Sequence, residues 1–74
     1  MPKLPSLSPL KIIKVLEKKD FILDRTKGSH HVYYNQLTKK RVIVALHKKD
    51  LPKGTLLDIL NQAGISKEEL MDLL

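Results

Sequence analysis

Three histidines, His30, His31 and His47, are the residues of this chain best suited to carry a proton, because imidazole is the side chain that changes charge near neutral pH. His30 and His31 are neighbours in a run of aromatic and β-branched residues. On a strand they point to opposite faces, so they do not converge on one metal ion. There is no cysteine, and the carboxylates Glu17, Asp20, Asp24, Asp50, Asp58, Glu68, Glu69 and Asp72 are scattered. That pattern offers neither a zinc framework nor an oxygen cage for magnesium. The expectation is therefore acid-base chemistry with no metal and no small-molecule cofactor.

His30 follows Gly28-Ser29, a turn in which glycine lets the backbone approach a ligand closely and Ser29 adds a hydroxyl and an amide donor. On the residues alone two readings stand. His30 is a proton carrier, or it is a histidine filling a strand edge. His47 divides in the same way between a second proton carrier and an exposed loop residue. Further along, Lys53-Gly54-Thr55 opens a helix, where free backbone amides, the helix dipole and a lysine would make a seat for phosphate. Thr55 acting simply as an N-cap, with Asp58 completing a capping box, is the plainer account of the same residues.

Lysine and arginine number 14 against 8 acidic residues, a net charge of +6 over 74 residues. So strong a bias in so small a chain points to a polyanion as partner. Lys39-Lys40-Arg41 and Lys48-Lys49 lie at the two ends of one strand-like segment and would follow a phosphate backbone; solvated loop charge is the alternative. With only Phe21, Tyr33 and Tyr34 as aromatic residues, phosphate contacts are expected to outweigh base stacking. Cutting RNA without a metal needs a base for the 2′-hydroxyl, cations around the phosphate and an acid for the leaving oxygen. His30 fits the first of these.

The elements that must position these groups follow from hydrophobic periodicity. Ser8-Pro9 starts a helix whose apolar stripe is Leu10, Ile13 and Leu16, widened by Ile12 and Val15, and which ends near Lys18-Lys19. Strands are expected near residues 21–25, 30–35 and 41–46, with Thr26-Lys27-Gly28 as the first turn. The short connections require an antiparallel meander. Alternation places His30 with Val32 and Tyr34, expected on the helix-covered side, so His30 would have to sit near the rim of the sheet. A second helix carries Leu56, Ile59, Leu60 and Ala63 and ends at Gly64; a third starts at Ser66 with Glu69 as its capping-box partner. The chain is read as one α+β domain over residues 1–74, with a three-stranded antiparallel sheet in the order α-β-β-β-α-α and helices on one face. Lysines interrupt the apolar amino-terminal stretch, so neither a signal peptide nor a membrane span is expected, and a reducing cytoplasm is the expected setting.

Gly28-Ser29-His30-His31-Val32-Tyr33, followed by Val42-Ile43-Val44, His47 and the run from Leu51-Pro52-Lys53-Gly54-Thr55-Leu56 through Ile59-Leu60 to Ala63-Gly64, resembles the HicA toxins over nearly the whole chain. The resemblance implies a fold like the double-stranded-RNA-binding domain, metal-independent endoribonuclease action on mRNA, and inhibition by a HicB-type antitoxin. It carries the family's catalytic histidine onto His30, its motif glycine onto Gly28 and a second histidine onto His47. With these, Lys27, Ser29, Lys48, Lys53, Gly54 and Thr55 make up the expected phosphate-binding set. The family often has a proline in the strand end before the second histidine, where this chain has Ala45-Leu46. A non-catalytic module that binds duplex RNA by shape is the rival reading, and a basic subunit that docks an acidic protein is a third.

Overall fold

The computed structural model describes residues 5–46 and 49–74. Helix α1 spans Pro9–Lys18, strands β1, β2 and β3 span Ile22–Lys27, His30–Asn35 and Lys40–Ala45, and helices α2 and α3 span Lys53–Ala63 and Lys67–Leu73. The strands form one antiparallel sheet in the order β1-β2-β3, flanked by the helices. This is the α+β architecture expected from the sequence.

Local chemistry explains each boundary. The Ser8 hydroxyl accepts from the Lys11 amide, and Pro9 occupies the first turn of α1, where its missing N–H is not needed. Ser66 and Glu69 cap α3 reciprocally. In contrast, α2 begins after Pro52 with no side-chain cap, and Thr55 lies inside the helix rather than at its N-cap. The amides of the first turn are thus free of a capping side chain.

Gly64 ends α2 in the left-handed conformation at φ +73°. A methyl added there would stand 3.0 Å from the Lys40 ammonium, the movable end of a long side chain, so backbone strain dominates the cost of substitution. Gly64→Ala should lower stability by about 1–2 kcal/mol. Thermal unfolding reads this directly, and an unchanged midpoint would contradict it. The same contact places the end of α2 near the Lys40 side chain at the start of β3.

The core lies between the helices and one face of the sheet. Ile12, Val15 and Leu16 of α1, Leu56, Ile59 and Leu60 of α2 and Leu70 of α3 close over Tyr33, Val42 and Val44. Leu10 was expected in the stripe of α1 but is 64% exposed, because the buried arc is centred on Ile12, Val15 and Leu16 and takes in Pro9 instead. Burial raises the Tyr33 hydroxyl above its ordinary value, and Glu17 adds to the effect. Lys19 donates to Glu69 at 2.7 Å and ties the end of α1 to α3. That bond, with the Ser66 amide second, holds the Glu69 carboxyl below its usual range.

Among the described residues, Asn35 is the one polar side chain other than Tyr33 that is buried in the core region. Its amide donates to the Lys19 carbonyl at 2.8 Å, and its oxygen accepts from the Leu37 and Thr38 amides at 2.8 and 3.1 Å. This is an Asx turn that builds the β2-β3 connection and fastens it to α1.

Candidate functional site

The β1-β2 hairpin turns at Gly28-Ser29, not at Thr26-Lys27-Gly28, and β1 runs on through Thr26 and Lys27. Gly28 takes φ +59° as the first of two central residues, the conformation a tight two-residue hairpin favours. The Ser29 carbonyl accepts from the Leu46 amide at 2.7 Å, which clamps the hairpin to the exit of β3. His30 therefore begins β2 at a rigid corner where all three strands meet.

Register decides which way His30 faces. Tyr33 pairs with Val42 and His31 with Val44, and Val42 and Val44 are completely buried beneath the helices. His31, Tyr33 and Asn35 thus belong to the covered face, and His30, Val32 and Tyr34 to the open one. The expectation that helices cover the His30 side is corrected. His30 has no need of the sheet rim, because among the described residues no helix covers its face.

On that open face His30 lies between Lys27 of β1 and Ala45 of β3. Directly opposed pairs have Cβ atoms about 4.5–5.5 Å apart, which sets Lys27 beside His30 on this face, while on the other flank His30 faces only the small side chain of Ala45. His30 is exposed, and its imidazole has no hydrogen-bond partner among the described residues. His31 is half-buried, and its Nδ1 lies 3.4 Å from the Ser29 carbonyl. The two adjacent histidines are sorted by environment into one free and one packed.

Lys53, Gly54 and Thr55 are exposed at the uncapped start of α2. They belong to the helix layer, whereas His30 lies on the opposite face of the sheet. His47 and Lys48 lie outside the described residues.

Two further cations share the open face, Arg41, which the sequence reading includes among the basic loop residues, and Arg25, which it does not single out. Leu23 pairs with Tyr33 and Arg25 with Val32, which leaves Asp24 as the extra residue of a bulge. Without the bulge Arg25 and Lys27 would turn to the covered face. With it they join His30. Arg41, opposite Tyr34, holds its guanidinium 5.1 Å from the centre of that ring. No signal in the sequence marks the bulge, since Leu23, Asp24 and Arg25 carry no glycine or proline.

Among the described residues no group of three histidine or acidic side chains is placed to hold a metal ion, and no helix is long and apolar enough to cross a membrane. Fold and site together define a small basic α+β protein with one helix-free sheet face carrying an uncovered histidine among cations. The family described as HicA toxin of bacterial toxin-antitoxin matches residues 11–65, and the chain belongs to that family. It is a toxin, and its family implies an antitoxin as partner. No curated protein matches the chain.

Proposed function

We propose that this toxin is a metal-independent endoribonuclease acting on mRNA in the cytoplasm as a single domain, with His30 as its general acid-base group and a HicB-type antitoxin as its inhibitor. The observation that supports this reading most is the position of His30. The imidazole is exposed at a clamped corner, next to Lys27 and across from a residue too small to cover it.

In the reaction, His30 takes the proton of a 2′-hydroxyl as that oxygen attacks the adjacent phosphorus. The bond from phosphorus to the 5′-oxygen breaks, and the departing oxygen takes up a proton. Charge on the phosphate is greatest midway, and Lys27 with the Ser29 amide and hydroxyl offset it. Lys53 and the free amides of Gly54 and Thr55 hold a second phosphate of the same strand.

Purified protein incubated with single-stranded RNA is expected to yield discrete products. Salt-sensitive binding with no products would instead favour the binding module. Lys53→Ala should weaken RNA binding and reduce the dependence of log affinity on log salt by about 0.7 for a single strand. An unchanged slope would remove Lys53 from the interface.

A further inference from the structure

Every rung of the open face carries one cation. Lys27 stands beside His30, Arg25 beside Val32, and Arg41 beside Tyr34. Rungs on one face recur about every 6.6–6.8 Å, so Tyr34 lies roughly 13 Å along the strand from His30. Between the cations run Ile22, Val32 and Ile43, apolar and at least partly exposed. The single carboxylate of the group, Asp24, touches both Arg25 Nε and Arg41 Nη2 at 3.7 Å, a loose and solvent-exposed arrangement that a phosphate can displace. The Tyr34 ring and the planar Arg41 guanidinium above it offer a stacking surface that accepts any base.

Resting on the ribonuclease reading, we propose that the open sheet face is a track for single-stranded RNA, with a base stacked at Tyr34 and Arg41, phosphates on Arg25 and Lys27, and the reacting ribose at His30. The stack then sets where the strand is cut, two rungs away. The Asp24 bulge is what makes the track, because it turns Arg25 and Lys27 onto the His30 face. One cation per rung, on β1 at Lys27 and Arg25 and on β3 at Arg41, with apolar surface between them, suits a single strand that crosses the sheet face with its bases free to stack. A duplex would present phosphates on both sides and no free base face.

The test measures binding of a 2′-O-methylated single-stranded oligoribonucleotide, which has no free 2′-hydroxyl to react, alongside cutting of the unmodified RNA. Tyr34→Ala should weaken binding five-fold or more, while Tyr34→Phe keeps it. Arg25→Ala and Arg41→Ala should each lower the salt slope by about 0.7, and Lys14→Ala, on the far side of α1, should bind as the parent does. The cutting pattern of Tyr34→Ala should spread over more positions. If Tyr34→Ala and both arginine variants bind and cut like the parent, the track is wrong although the nuclease reading survives. If the parent never cuts but the binding losses appear, the nuclease reading fails and the track stands. Should these variants lose binding to an acidic protein partner while RNA binding is unchanged, the face is a protein-docking surface and the proposal is overturned.

Discussion

His30→Ala is expected to reduce RNA cutting by about 10²–10⁴-fold, a rise in the barrier of roughly 3–5 kcal/mol, and to abolish growth arrest on expression. The substitution should be almost silent in stability, because the imidazole is exposed and bonds to none of the described residues. His31→Ala supplies the contrast. His31 is half-buried between Thr26 and Val44 on the covered face, so its loss should act through packing and leave the chemistry at His30 in place. Rates for the two variants, set beside their unfolding midpoints, separate a reactive histidine from a packed one. A His30→Ala protein that cuts as fast as the parent would end the proposed mechanism.

The second large effect is on the fold that holds the site. Leu56 is 1% exposed in the first turn of α2, where it anchors the Lys53 helix start against the core. Leu56→Ala should cost about 2–5 kcal/mol. The stability of a domain this size is on the order of 4–11 kcal/mol, so the midpoint of thermal unfolding should fall by ten degrees or more. Ile43→Ala makes the comparison informative. Ile43 is 52% exposed on the open face, between the buried Val42 and Val44, and its truncation should cost less than about 1 kcal/mol. Equal losses for Leu56→Ala and Ile43→Ala would mean that the covered face is wrongly assigned, and His30 with it.

Element order, the span of β2 and the caps of α1 and α3 were legible in the sequence, because a serine before proline, a Ser-Glu capping box and short polar turns act locally. Which face of the sheet the helices cover was not. Val42, Ile43 and Val44 are all apolar, so β3 lacks the alternation that would distinguish its sides, and β2 has aromatic or β-branched residues on both. The choice is made by α2 packing on β3 and is carried to His30 through cross-strand register, which is a long-range fact. Arg25 was missed for a similar reason, since a bulge shifts alternation by one without a glycine or proline to mark it. Leu10 was misplaced because apolar residues at 10, 12, 13, 15 and 16 fit two overlapping helical stripes, and tertiary contact selects one. In the candidate site, Gly28 and the Lys53 helix start could be read from residue type, whereas the freedom of His30 depends on its neighbour Ala45 across the sheet.

In the proposed mechanism, His30 directs the 2′-oxygen of RNA at its own phosphate without help from a metal. The most direct measurement is the chemical nature of the ends left when the purified protein cuts a defined single-stranded RNA in the presence of excess chelator. Undiminished cutting that leaves 2′,3′-cyclic phosphate and 5′-hydroxyl ends is the predicted result. Cutting that stops in chelator, or that leaves 3′-hydroxyl and 5′-phosphate ends, would contradict it.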